Sequence, residues 1–156
     1  MATVLEVRNY LGSLSAILWN YGAEFPVPTL DDYGANQVGF ELVAELPGVL
    51  VPRPAEIKLA EIWGPGRSSG LERLEYEYDF VEHPMNRRRA FHGHDRDWFA
   101  QEFGVFVHEH CEEELGAPAC SHYFGLPMDG FEAIHAFAAL WGQHVPLGCS
   151  GLRCME

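Results

Sequence analysis

From Arg73 to Phe80 polar and apolar side chains alternate without interruption. Leu74, Tyr76, Tyr78 and Phe80 fall on one face of an extended chain, and Arg73, Glu75, Glu77 and Asp79 on the other. A segment with that period reads as a half-buried antiparallel strand, dry on one face and charged on the other. His83-Pro84-Met85-Asn86 supplies turn chemistry directly after it, so residues 87–94 are expected to return as its hairpin partner. A hairpin of this kind buries its dry face only if further strands and a layer of helices complete a core.

The rest of the chain supplies both. Leu11, Leu14 and Leu18 recur at helical spacing before Gly22, whereas Thr3 to Arg8 alternates weakly. Prolines, Asp31-Asp32 and Gly34 mark 25–38 as a loop, and strands are expected at 40–45 and 57–63. Asp95 is placed to cap a helix from Arg96 to Leu115, with Phe99, Phe103, Phe106 and His110 along one stripe; Gly104 interrupts it and leaves a strand over 104–110 open. Residues 120–126 alternate as another strand. Asp129 and Glu132 have capping-box spacing before a last helix bearing Phe131, Ile134, Ala138 and Trp141. The tail from Val145 reads as loosely ordered. These elements predict an α+β fold, a single domain over 1–156, with one curled antiparallel sheet of about five or six strands and two or three helices packed on one face.

The length of 156 residues suits one domain, and an apolar content of 47% suits a globular core. No run approaches the ~20 apolar residues of a bilayer span, and the N-terminus lacks the basic start of a secretion signal, so no membrane association and a cytoplasmic location are expected. The formal charge of −13 disfavours generic nucleic-acid or anionic-membrane binding unless bases are concentrated locally. Arg87, Arg88 and Arg89 are such a concentration. Cys111, Cys120, Cys149 and Cys154 form no CxxC pair and read as reduced thiols.

Histidines carry most of the candidate chemistry. On a strand, His92 and His94 point to one face, where two imidazoles can share a metal or a phosphate; alternatively they are solvent-facing strand-end residues beside a capping Asp95. On a helix, His108 and His110 lie about 200° apart and cannot grip one ion, leaving His110 in the core and His108 beside Glu112. If 104–110 is a strand, both share a face. Cys120 and His122 share a strand face with Phe124 and Leu126; they either pack in the core or complete a Cys/His zinc site with His92, His94 or His110. Arg88 shares the face of His92 and His94, so guanidinium and imidazoles together make a phosphate site, with Tyr76, Tyr78 or Tyr123 available to stack on a base. The competing reading pairs the arginines with Glu75, Glu77 and Asp79 across the hairpin.

Read in order, Glu61-Ile-Trp-Gly-Pro, Leu74-Glu-Tyr-Glu-Tyr, Arg89-Ala-Phe-His-Gly-His-Asp, His122-Tyr-Phe-Gly-Leu-Pro and a final helix resemble the TumE-like toxin components of bacterial toxin-antitoxin systems, over roughly residues 57–141. The resemblance implies a small sheet-plus-helix, RNA-cleaving toxin, with Arg89, His92 and His94 matching its arginine and HxH motif. Three readings follow. The first is a toxin-like ribonuclease acting on phosphate through Arg88, Arg89, His92 and His94, with RNA as substrate and an antitoxin as partner. The second is an acidic, non-catalytic immunity or inhibitor protein that engages a basic target protein. The third is a zinc protein using His92, His94, Cys120 and His122.

Overall fold

The structure, a computed structural model, describes residues 2–24, 28, 30–34, 36–48, 53–67, 70–112, 114–116, 120–123 and 127–141, with the side chains of residues 99 and 120–123 outside the description. The expected loose tail from Val145, with Cys149 and Cys154, lies outside the described residues.

Seven strands form one antiparallel sheet in chain order: β1 (Leu30–Gly34), β2 (Gln37–Leu46), β3 (Ala55–Pro65), β4 (Leu71–Glu82), β5 (Arg87–Gly93), β6 (Val107–Glu112) and β7 (Cys120–Tyr123). Three helices accompany them: α1 (Val4–Asn20), α2 (Trp98–Phe103) and α3 (Gly130–Trp141). The α+β sheet is as expected, with β1 as an extra edge strand inside the stretch read as a loop.

Strands β2 to β5 put alternate residues on the dry face, and the register lines them up: Leu42 with Leu59, Leu59 with Tyr78, Tyr78 with Phe91. Against this face pack Val7, Leu11, Leu14 and Leu18 of α1 and Ala133, Ile134, Phe137 and Trp141 of α3. Phe137 stacks on both Phe80 and Phe91, at 5.2 and 5.5 Å between ring centres. Helix α1 starts two turns earlier than its leucines alone suggest, because Thr3 and Glu6 close a capping box. For α3 the box forms between Asp129 and Glu132 as their spacing predicts. Among the described residues, no helix is long and apolar enough to cross a membrane.

The dry face also holds a polar knot. Glu61 is 2% exposed and accepts hydrogen bonds from Tyr78 (2.5 Å), Tyr10 (2.8 Å) and the Trp63 indole (2.7 Å), tying α1 to the sheet. Tyr76 and Tyr78 are buried here, so neither is open to stack on a nucleic-acid base. Tyr123 lies among the side chains outside the description.

The helix expected from Arg96 to Leu115 does not form. Asp97, not Asp95, caps a short α2, and Gly104 in the left-handed region (φ 64°) ends it. The stripe expected to face the core is exposed at Phe103 and Phe106. From Val107 the backbone gains more by pairing with β5 on one side and β7 on the other than a lone helix offers. The segment is therefore β6, with His92 opposite His108 and Ala90 opposite His110. Helices α1 and α3 share one face of the sheet, while Asp97 brings the start of α2 over the other.

Candidate metal centre

That second face is rich in polar residues over β4 to β6. Glu77 and Asp79 of β4, Arg88 and His92 of β5 and His108, His110 and Glu112 of β6 are in phase, because each lies in register with a residue of the same face on the next strand. His94 continues the phase just past the end of β5. Its backbone N–H donates to the Phe106 carbonyl at 3.1 Å and keeps the two strand ends together.

Four imidazoles consequently converge. His92 stacks on His94 at 4.7 Å and meets His110 at 4.7 Å and His108 at 5.3 Å, measured between ring centres. All four are buried, at 6%, 4%, 0% and 9% exposure for His92, His94, His108 and His110. One oxygen of the α2 cap completes the set: Asp97 Oδ2 lies 2.6 Å from His108 Nε2, 3.0 Å from His110 Nε2 and 3.5 Å from His92 Nδ1. Its Oδ1 accepts from the Ala100 amide at 2.9 Å, which fixes the carboxylate's orientation. His108 and His110, which a helix would have dispersed, are thus brought together by the β6 pairing. Asp97 replaces the expected Asp95, which is exposed.

Three of the imidazoles, His92, His94 and His110, are held toward the uncharged form. Burial, reinforced by His110, His94 and His108, pushes His92 down to about 2. Burial and then Arg96 lower His94, and burial lowers His110 despite Asp97. Burial would raise Asp97, but the Ala100 amide, His110 and His108 together hold it well below the usual carboxylate range. Neutral imidazole and ionised carboxylate are the forms that coordinate metals. Moreover, neither ring nitrogen of His92 has a hydrogen-bond partner among the described residues. A buried polar ring left unsatisfied in this way fits a missing ligand better than a finished core.

His92, His94, His108 and Asp97 each present a donor atom within 4.8 Å of the other three, a spread that one ion can span. The set of nitrogen and oxygen donors suits zinc and its first-row neighbours. A cleft of about 400 Å³, lined by Glu77, Arg88, His92, His94, Arg96, Asp97 and His110, opens onto the cluster from solvent. No family model, characterised protein or solved structure matches the chain.

The arginines divide as strand alternation requires. Arg88 is on the histidine face but is held between Asp79 (2.7 Å) and Glu112 (2.7 Å). Arg89 is on the helix face, bonded to Glu109 at 2.6 Å and to Cys111, so it does not join the histidines. Arg87 is also on the helix face, bonded to Glu82. Cross-hairpin pairing, as between Arg88 and Asp79, therefore accounts for much of the triplet. In the register Cys120 stands opposite Cys111 and His122 opposite Glu109, the alternate phase to His108 and His110. Arg96, missed in the sequence, is the exposed base at the cleft, 3.3 Å from Glu75 and 3.6 Å from Glu77.

The glycine of His92-Gly93-His94 has a packing cause. Gly93 lies opposite Tyr76, whose ring covers the position a Cβ would occupy. Gly93→Val is expected to cost ~1–3 kcal/mol in urea unfolding by forcing the ring aside; an unchanged midpoint would contradict this packing.

His92 also predicts a pH dependence for the metal-free protein. An unfolded histidine titrates near 6.5, so as pH falls below that the unfolded chain takes a proton that folded His92 refuses, and stability is lost. Asp79, raised by burial to about 6, and the buried Glu61, also raised, act in the opposite sense at acid pH. The His92 contribution is therefore read as a difference. Between pH 6 and 5 the wild type should lose about 1.2 kcal/mol more than His92→Asn. Parallel stability curves would show that His92 is not held neutral.

Proposed function

We propose that the chain is a metal-dependent hydrolase of phosphodiesters, with one zinc-like divalent ion held by His92, His94, His108 and Asp97. The observation that carries this reading is the convergence of three buried imidazoles and one ionised carboxylate beneath an open cleft, with His92, His94 and Asp97 lining it. Such an ion, when bound, supplies Lewis acidity toward a phosphoryl oxygen and acidifies water. The protein supplies the rest. His110, hydrogen-bonded to Asp97 at 3.0 Å, and the Ala100 amide orient the carboxylate. Arg96 at the rim offers a cation to an anionic substrate. His92 in its neutral form acts as a ligand rather than as a general acid, which separates this reading from metal-free histidine catalysis. RNA, the substrate that resemblance to the TumE-like toxins implies, is consistent with a cleft whose positive charge comes from the ion rather than from a chain of net charge −13.

The test compares chelator-stripped protein with protein restored by zinc or manganese, on single-stranded RNA and on bis(p-nitrophenyl) phosphate. Cleavage is expected only after restoration and should fall ~10²-fold or more in His94→Ala and in His108→Ala. Cleavage that survives chelation, or none of either substrate by the metal-loaded protein, contradicts the proposal. In cells, the same substitutions should relieve growth inhibition.

An acidic binding protein is the second reading, and β1 favours it. Asp31, Asp32 and Tyr33 are exposed on the edge of the sheet, where a basic strand can pair. Salt-sensitive capture of a basic protein, lost in Asp31→Ala/Asp32→Ala, would support it.

A further inference from the structure

Beside the four-donor cluster stands a second group, Glu77, Asp79 and His92, of which the first ion would use His92 alone. Glu77 and Asp79 are two residues apart on β4, on one face, and His92 sits directly across from Glu77 on β5. Their donor atoms all lie within 4.8 Å of one another. Arg88 takes Oδ1 of Asp79, through Nε at 2.7 Å and through Nη2, while a hydrogen bond between the Asp79 and Glu77 carboxyls holds the two acids together where a cation would replace the shared proton. Glu77 keeps loose ion pairs with Lys58 at 3.6 Å and Arg96 at 3.6 Å and lies 4.0 Å from His94, none of them within hydrogen-bond reach, so its carboxylate can be drawn to a divalent ion. The third member is the independent sign of a ligand. The side chain of His92 is 8% exposed, and neither of its ring nitrogens has a hydrogen-bond partner among the described residues. One ion can satisfy only one nitrogen of an imidazole.

We propose that a second divalent cation binds among Glu77, Asp79 and His92, so that His92 is common to two adjacent ion positions. The second position presupposes the first, proposed above. With both filled, each ring nitrogen of His92 serves one ion, and the proton the ring still carried passes to water. The donor sets differ in kind. Three imidazoles and a carboxylate favour zinc at the first, whereas two carboxylates and one imidazole favour a harder ion such as manganese at the second. A second ion also offsets the paired negative charge of Glu77 and Asp79, and it widens the positive field at the cleft for a phosphodiester.

The experiment strips the full chain with chelator, fills it with one equivalent of Zn²⁺, then titrates Mn²⁺ and counts both metals by elemental analysis after gel filtration, with calorimetry for affinity. The wild type is expected to hold one zinc and one manganese. Glu77→Gln, at a partly exposed residue, should keep the zinc and lose the manganese, and Asp79→Asn should do the same. Retention of zinc in each variant reports that its fold is intact. Zinc without manganese in the wild type overturns the second position and leaves the first standing; neither metal overturns both. Manganese that binds Glu77→Gln as tightly as wild type places the second ion elsewhere and also overturns the proposal.

Discussion

Exchanging His92 and His94 together for alanine is expected to leave a folded protein that zinc no longer stabilises. For the wild type, zinc at a hundredfold excess over its dissociation constant should raise stability by about 2.7 kcal/mol, because the ion binds only the assembled cluster. In a chain of this length that is a shift in Tm of roughly 5–11 °C. The double variant keeps His108, His110 and Asp97, but it loses half of the four-donor set. Its metal-free fold should suffer less than most buried substitutions, since His92 makes no hydrogen bond among the described residues and His94 accepts only a long one from the Arg96 amide, at 3.3 Å. Differential scanning calorimetry with and without zinc measures both quantities. An equal zinc shift in the variant would move the ion away from these histidines.

Glu82 should produce the largest loss of stability on the opposite face. Its side chain is fully buried between two guanidiniums, Arg53 on one oxygen and Arg87 on the other. Arg53 also donates to the Trp141 carbonyl at 2.7 Å and Arg87 to the Leu140 carbonyl at 3.3 Å, so the triad anchors the last turn of α3 to the sheet. Removing the carboxylate takes away the charge shared by two guanidiniums, Arg53 partly buried at 16% exposure and Arg87 more deeply at 10%. Glu82→Gln is expected to cost ~3–5 kcal/mol in chemical unfolding, or roughly 10 °C in Tm. Metal binding should change little, because the triad lies on the helix face and the histidines on the other. A loss below about 1 kcal/mol would mean that the pair is better solvated than its burial implies.

The β4–β5 hairpin was legible in the sequence because a period of two is both a local preference and a tertiary requirement: the residues that alternate are those the sheet buries. The same holds for α3, whose capping box and apolar stripe agree. The segment from Asp95 to Glu112 was not legible, because local and tertiary signals conflict there. Phe99, Phe103, Phe106 and His110 imitate a helical stripe, yet Gly104 breaks the helix and the long-range pairing of His108 with His92 decides the outcome. The helical reading would have dispersed half of the centre; the strand left open over 104–110 is the one that puts His108 and His110 on a shared face. Asp97 was overlooked for a related reason: its role follows from capping a six-residue helix, which no sequence period marks. Arg89 shows the opposite case, where a motif of neighbouring residues outweighed the strand alternation that sends it to the other face.

X-ray absorption at the zinc edge of the zinc-loaded protein tests the central claim most directly. Coordination by His92, His94, His108 and Asp97 predicts a first shell of nitrogen and oxygen alone at ~2.0–2.2 Å, with imidazole scattering beyond it. A sulfur shell at ~2.3 Å would place a cysteine on the ion and contradict the account.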